Sequence, residues 1–196
     1  TMIWDAGENS NRFRQLLELT AQALTNETDL LLWPEAALPE FNATSFAAIT
    51  NLIQAHQVEM IFGADDVQEK SNPIPGDRYD AYNAAFHFRP DGSLGGIYHK
   101  RHLVMFGEYI PLGRALPFVK WFTPITGGFT PGDRAIPFRL ERRPAARPDS
   151  TDESQRAGSE TGAPTHIKIA PLICFEDTFP HLVREYVDED TDFLVN

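Results

Sequence analysis

The chain has 196 residues, of which 42% are hydrophobic, enough to bury one sizeable core, so a single domain is predicted. Its 28 acidic residues outnumber its 17 basic residues and give a formal net charge of -11, which repels a phosphate backbone and argues against a nucleic-acid partner. The single cysteine, Cys174, excludes an intrachain disulfide.

The first third of the chain alternates amphipathic helices with short apolar runs. A helix beginning near Ser10 is followed by Asp29–Trp33, a run typical of a strand buried on both faces, which Pro34 ends. A second helix over Thr44–His56 precedes a second buried strand over Val58–Ala64. This alternation predicts a layered α/β domain. The helix residues predicted to face inward are Phe13, Leu16, Leu17 and Leu24, then Phe46, Ile49, Leu52 and Ile53.

The middle of the chain contains a predicted loop and a predicted hairpin. Asp65–Asp80 is polar and contains two prolines and a glycine, which indicates a loop. The strands Tyr82–Phe88 and Leu94–Tyr98 then flank an Asp91-Gly92 pair, the turn chemistry of a β-hairpin.

The remaining part begins with a glycine- and proline-rich stretch, Phe122–Pro137, which predicts a broad loop. Glu141–Pro164 has almost no large apolar residues and is interpreted as a flexible surface insertion. A strand over His166–Cys174, a short helix over Phe179–Val187 and a strand over Asp192–Asn196 complete the pattern.

Neither a targeting segment nor a membrane span is apparent. The N-terminus lacks the charged and apolar regions of a signal peptide, and no apolar run reaches the roughly 18–20 residues that a span needs. Both ends of the chain read as interrupted, so we expect a domain truncated at both ends, from a longer reading frame.

Three residues with complementary chemistry follow predicted strands, where functional groups of layered α/β folds lie. They are Glu35, Lys100 and Cys174. Taken singly, each has an ordinary interpretation: a turn carboxylate, a solvated lysine and a buried thiol. Taken together, a carboxylate can accept the thiol proton, and an ammonium can stabilise the oxyanion that follows thiolate attack. A Cys–His pair stays an alternative; the candidate histidines are His99, His102, His166 and His181.

The segments around these residues resemble the three motifs of the nitrilase, or carbon–nitrogen hydrolase, superfamily, in the order Glu, Lys, Cys. They are LLLWPEAALPEF around Glu35, YHKRHLVMFGEYIP around Lys100 and PLICFEDTFP around Cys174. The long lysine segment and the stretch Arg78–Asn83 (RYDAYN) are similar to the apolipoprotein N-acyltransferase branch of that superfamily. The resemblance covers nearly the whole chain apart from Glu141–Pro164.

The resemblance implies a four-layer α/β/β/α sandwich with a cysteine-based active site. Glu35 would be the general base and Cys174 the nucleophile. Lys100 would stabilise the tetrahedral oxyanion, together with the backbone N–H of Phe175.

Two further carboxylates are implied as supporting residues. Glu108 would hold Lys100 and the substrate amine, and Glu176 would line the pocket or serve a structural role. No metal or other cofactor is expected, since the histidines lack ligand spacing and the single cysteine has no second cysteine to act with.

The implied reaction is transfer of a fatty acyl chain from a phospholipid to the N-terminal amine of a diacylglyceryl-cysteine apolipoprotein, through a cysteine thioester. The domain would lie on the periplasmic side of the bacterial inner membrane, held by helices outside this segment. The aromatic stretch Phe118–Thr130 is a candidate lipid-facing loop, through Trp121, Phe122 and Phe129. Two alternatives are a soluble amidase or nitrilase with the same triad and a catalytically inactive binding module.

Overall fold

The computed structural model describes residues 9–25, 27–38, 41–109, 128–141 and 166–196. The predicted insertion over 141–164 therefore lies outside the described residues apart from Glu141, as do Trp121 and Phe122 of the predicted lipid-facing loop. The elements in chain order are α1 (Asn9–Ala23), β1 (Leu30–Leu32), α2 (Ala43–His56), β2 (Glu59–Ile74), β3 (Asp77–Phe88), β4 (Leu94–His99), β5 (Phe138–Glu141), β6 (His166–Pro171), α3 (Pro180–Tyr186) and β7 (Phe193–Val195).

Helix α2 begins where the sequence supplies a capping side chain. Asn42 accepts hydrogen bonds from the backbone N–H groups of Thr44 and Ser45, which otherwise have no partner in the first turn. Ile49 and Ile53 on its inner face are buried, as predicted. Phe46, also predicted to face inward, is 45% exposed.

Strand β1 forms one edge of a four-stranded sheet with the order β1-β2-β3-β4. It pairs parallel to β2, and the other two pairings are antiparallel. The prediction that this strand is buried on both faces is wrong, because Leu32 is 48% exposed. Within the described residues β1 pairs only with β2, so its outer side carries no neighbouring strand.

The predicted loop over Asp65–Asp80 is a two-stranded ribbon instead. Strand β2 continues to Ile74, and the chain turns at Gly76. Its φ of +83° is a value that glycine adopts readily and other residues rarely adopt. Pairing is regular from Asp65 opposite Asn83 outwards, and the register becomes irregular beyond Glu69. The two prolines fall in this irregular part, so they do not prevent the inner ladder from forming.

A second sheet, with the order β5-β6-β7, packs against the first. Side chains of the first sheet, among them Ile61 and Tyr98, share one buried cluster with Phe138 and Ile169 of the second. The opposite face of the first sheet packs against α1 and α2 through a second buried cluster that includes Phe62. The helix–sheet–sheet layering confirms the predicted α/β sandwich, and helix α3 adds Leu182 and Tyr186 to the cluster between the sheets.

Strand β5 was not predicted from the sequence, because its four residues adjoin the polar stretch that begins at Glu141. No helix among the described residues has the length and apolar content needed to cross a membrane.

Candidate active site

Glu35 lies in a tight turn just after β1. The next residue, Ala36, has a φ of 51°, a left-handed conformation that non-glycine residues rarely adopt. Gly63 of β2 lies beneath this turn, and a Cβ added there would be 2.8 Å from the Glu35 Cα. The absence of a side chain at Gly63 therefore lets the Glu35 turn lie directly on β2.

Lys100 follows β4 and is buried, with 1% of its surface exposed. Its backbone N–H donates to the Asn83 carbonyl at 2.8 Å, which continues the pairing of β4 with β3. Its Nζ donates to Glu108 Oε1 at 2.8 Å and lies 3.6 Å from Glu35 Oε1. Burial alone would lower the pKa of Lys100, but the hydrogen bond and charge of Glu108, together with the charge of Glu35, raise it overall. Lys100 is therefore an ammonium at neutral pH.

Glu108 is held on both of its oxygens. Oε1 accepts from Lys100, and Oε2 accepts from the backbone N–H of Val104 at 2.9 Å. Burial would raise the pKa of Glu108, but the bonds from Lys100, Val104 and Asn83 lower it overall. The turn that brings Glu108 back to Lys100 includes Phe106 with a φ of 60°.

Cys174 begins the 3₁₀ helix Cys174–Thr178 that follows β6, and it has a φ of 55°. The Glu35 carboxylate, the Lys100 ammonium and the backbone N–H of Phe175 all lie close enough to the thiol to influence its pKa. Cys174 is exposed, yet partial desolvation and the Glu35 charge raise the pKa of its thiol, while Lys100 opposes this shift. The resting thiol is therefore protonated at neutral pH and needs a base to become a nucleophile.

Asn83 of β3 belongs to the same cluster and was missed as a site residue in the sequence. Its Nδ2 donates to Glu35 Oε1 at 2.8 Å and to Glu108 Oε1 at 2.9 Å. In the sequence, Asn83 is visible only as a polar residue beside the apolar part of a predicted strand. The pairing of β3 with its neighbours is needed to place Asn83 between the two carboxylates.

Glu176 does not line the cavity that Glu35 and Cys174 line. It is fully buried at 0% exposure, and its two oxygens accept four donors. These are the Tyr98 hydroxyl and the backbone N–H groups of Arg101, His102 and Ile173, at 2.7–3.0 Å. Glu176 thus joins the segment after Lys100 to the segment before Cys174. Its carboxylate is committed to protein groups and is not offered to a substrate.

The side chain of Phe175 is 56% exposed, so its contribution to the site is the backbone N–H beside the Cys174 thiol. Two of the histidines considered as alternative partners are engaged elsewhere. His99 bonds to Asp66 at 2.7 Å, and the His102 ring lies 3.8 Å from the ring centre of Phe179.

The structure therefore brings Glu35, Lys100, Glu108 and Cys174 into one cluster, from three different strand ends. Glu35 and Cys174 also line a cavity of about 300 Å³ whose other walls are mainly apolar. Within the described ranges, no group of three or more His, Cys, Asp or Glu side chains could hold a metal ion. The cluster offers a nucleophile, a base, a fixed cation and a backbone donor, the parts that acyl transfer through cysteine requires.

The chain is similar to known proteins over most of its length. Residues 3–196 match the family model described as carbon-nitrogen hydrolase. The chain shares 32% identity over 172 residues with the apolipoprotein N-acyltransferase of Geobacter metallireducens, covering 86% of this chain and 27% of that protein. It shares 28% identity over 201 residues with the apolipoprotein N-acyltransferase of Rickettsia prowazekii, covering 100% of this chain and 34% of that protein. The chain thus spans about a third or less of the length of these curated relatives.

Solved structures support the same fold. A carbon-nitrogen hydrolase from Helicobacter pylori aligns with a TM-score of 0.58 and 20% identity, covering 96% of this chain and 55% of that one. An amidase from Nesterenkonia aligns with a TM-score of 0.55 and 13% identity, covering 95% and 57%. The predicted nitrilase-like fold is confirmed by these alignments.

Proposed function

Because this chain belongs to the carbon–nitrogen hydrolase family, we propose that it is the catalytic domain of an apolipoprotein N-acyltransferase. The reaction transfers a fatty acyl chain from a phospholipid to the N-terminal amine of a diacylglyceryl-cysteine apolipoprotein, through a thioester on Cys174. The observation that carries the proposal is the convergence of Glu35, Lys100 and Cys174 in one cluster. The names of the relatives, which match over most of this chain, support N-acylation of an apolipoprotein, and the phospholipid donor is part of the proposal.

The first half-reaction forms the thioester. Glu35 accepts the Cys174 proton, and the thiolate attacks the carbonyl carbon of the phospholipid ester. The oxyanion of the tetrahedral intermediate receives the Lys100 ammonium and the Phe175 N–H. On collapse the ester C–O bond breaks, Glu35 returns its proton to the departing alkoxide, and a lysophospholipid leaves.

The second half-reaction transfers the acyl group to nitrogen. The neutral amine of the acceptor attacks the thioester carbonyl, and Glu35 accepts a proton from the amine as the C–N bond forms. Collapse breaks the C–S bond, and the proton on Glu35 restores the Cys174 thiol. Glu108 keeps Lys100 in place during both steps through the 2.8 Å bond between them.

The phospholipid donor and the lipidated acceptor both reside in a membrane. The proposal accordingly places the domain on the periplasmic side of the bacterial inner membrane, anchored by helices outside this segment.

The test uses the complete protein in bacterial membranes with a phospholipid that carries a labelled acyl chain. We expect a hydroxylamine-labile acyl adduct on Cys174, detected by mass spectrometry and absent in Cys174→Ala. A diacylated lipopeptide should then discharge the adduct from Cys174 and appear with the label on its amine.

Two results would contradict the proposal. A protein that forms no adduct with phospholipid but hydrolyses small amides or nitriles is a hydrolase with the same triad. A thioester that only water discharges excludes the amine as the acceptor.

A further inference from the structure

The side-chain amide of Asn83 occupies the space between the two carboxylates of the cluster. Asn83 is 8% exposed, and its Nδ2 donates to Oε1 of Glu35 at 2.8 Å and to Oε1 of Glu108 at 2.9 Å. A primary amide has two N–H donors, so both are used in these bonds. Asn83 is therefore committed to holding two acidic side chains and is not free to bind a substrate through its nitrogen.

These bonds distinguish the two oxygens of Glu35. Oε1 accepts from Asn83 and also faces Lys100 Nζ at 3.6 Å. The second oxygen, Oε2, is then available to the Cys174 thiol, which lines the same cavity as Glu35. A general base is effective only when a free oxygen faces the proton that it accepts.

The same amide also offsets repulsion inside the cluster. Glu35 and Glu108 both direct Oε1 toward Lys100, so two negative groups share one cation. Two carboxylates in one site repel, and one of them tends to retain a proton unless donors stabilise both. The Asn83 N–H groups supply such donors without adding a charge.

We propose that Asn83 is a positioning residue for the acyl transfer: it fixes Glu35 and Glu108 around Lys100 and turns one Glu35 oxygen toward Cys174. This inference rests on the proposed function and adds a residue outside the Glu–Lys–Cys triad to its site.

The test compares Asn83→Ala and Asn83→Asp in the complete protein, with acylation of Cys174 measured in a single turnover. Two donors are used: a small activated ester and a phospholipid. Asn83→Ala should slow acylation by about 10- to 100-fold, the loss expected when hydrogen bonds to charged groups are removed. The slowing should grow as the pH falls, because without the Asn83 donors one of the two carboxylates retains a proton more readily.

The isosteric Asn83→Asp variant tests the positioning role through the pH dependence of acylation, which would not change if Asn83 were purely structural. An ionised Asp at this position accepts instead of donating, and it adds to the negative charge of Glu35 and Glu108. The other ionisable groups around the position are Lys100, Cys174 and, opposite on β2, Asp65. Acylation by Asn83→Asp should be lost at neutral pH and partly return as the pH falls, because a protonated Asp donates one hydrogen bond again.

Asn42→Ala is the matched control, since it removes an Asn that caps α2 away from the cluster. It should cost about 1 kcal/mol of stability and leave the acylation rate unchanged. Acylation by Asn83→Ala at the wild-type rate, or an Asn83→Asp pH profile parallel to the wild-type profile, would overturn the inference.

The two proposals fail in different ways. If the wild-type protein is acylated by the small ester but not by phospholipid, the proposed function fails and the Asn83 comparison is still decided by the ester. If neither donor acylates Cys174, both are overturned.

Discussion

The Lys100–Glu108 pair shows how a single carboxylate fixes the charge state of the cluster. Lys100 is 1% exposed, and the Glu108 side chain is 13% exposed, so water does little to replace either partner. A buried ammonium without its carboxylate is strongly destabilising, because the desolvation cost of the charge is no longer offset. The pair therefore contributes to stability as well as to the position of Lys100.

Replacing Glu108 with Gln should reveal this contribution through its pH dependence. The folded-state pKa of Glu108 lies below its ordinary value of 4.5, because the bonds from Lys100, Val104 and Asn83 outweigh the opposing effect of burial. The stabilisation is therefore complete above that ordinary value and is lost as the pH falls through the lowered folded-state pKa. At neutral pH we expect Glu108→Gln to cost about 3 kcal/mol, the low end for breaking a buried ion pair. Thermal unfolding of the complete protein at a series of pH values measures the difference.

The matched control is Glu185→Gln, which removes an exposed carboxylate that bonds Arg101 at 2.7 Å. It should cost less than about 1 kcal/mol. A gap between wild type and Glu108→Gln that stays constant down to acidic pH would show that the ionised carboxylate is not what stabilises the fold.

Among individual residues, Glu35, Lys100 and Cys174 could be predicted as candidates because their chemistry and their positions after strands are visible in the sequence, whereas Glu108 was implied only by the family resemblance. Glu35, Lys100, Glu108 and Cys174 converge because their segments leave the sheets close together. Asn83 could not be found in this way, since an asparagine inside a strand gains its role only from its neighbours on other strands. Glu176 was expected either to line the pocket or to be structural. Its donors come from the neighbouring Ile173 and from the distant segment 98–102, and only the fold brings that segment to it.

At the scale of elements, the close contact between the Glu35 turn and β2 sets the position of Glu35, the proposed base. Alanine at position 63 would place a Cβ 2.8 Å from Glu35 Cα and 2.9 Å from Ala36 N, and both are backbone atoms that cannot rotate away. Gly63→Ala should therefore displace the Glu35 turn from the cluster. We expect acylation of Cys174 to fall by at least about 100-fold, in the range for a lost catalytic base.

Gly76→Ala provides the comparison for this prediction. Gly76 needs its φ of +83°, but a Cβ there would meet nothing within 4 Å. The substitution should cost about 1 kcal/mol through backbone strain and leave acylation unchanged. Equal losses of acylation in the two variants would mean that glycine acts at position 63 through general stability and not through contact with Glu35.

The ribbon formed by β2 and β3 explains why composition was a poor guide to these elements. Residues beyond Gly63 are polar and interrupted by prolines, which favours a loop when each segment is considered alone. Pairing with the opposite strand supplies backbone hydrogen bonds whatever the side chains are, so the ladder extends outward past Asp65 and Asn83. The apolar strands were predicted because an apolar run is visible in the sequence without knowledge of the pairing strand.

At the scale of the whole molecule, the two sheets are joined by a buried polar contact as well as by apolar packing. Glu59 Oε2 lies 2.7 Å from His87 Nε2 within the first sheet, and the two side chains are 4% and 1% exposed. The other oxygen, Oε1, accepts from the backbone N–H of Glu141 in β5 at 3.0 Å. One carboxylate thus connects two strands of the first sheet to an end of the second.

Removing this connection should lower stability without changing the chemistry. Glu59→Ala leaves the His87 ring nitrogen and the Glu141 N–H without their partner, at an expected cost of about 3 kcal/mol. Glu59 precedes Gly63 by four residues on β2, about 13 Å along the strand, so the cluster itself is not touched. The melting temperature should fall while the single-turnover acylation rate per folded molecule stays at the wild-type value. Glu69→Ala, on the same strand but exposed and paired with Arg78, should change neither quantity by more than a small amount. If Glu59→Ala slows acylation in protein that remains folded, the packing of the two sheets must itself set the distance between Glu35 and Cys174.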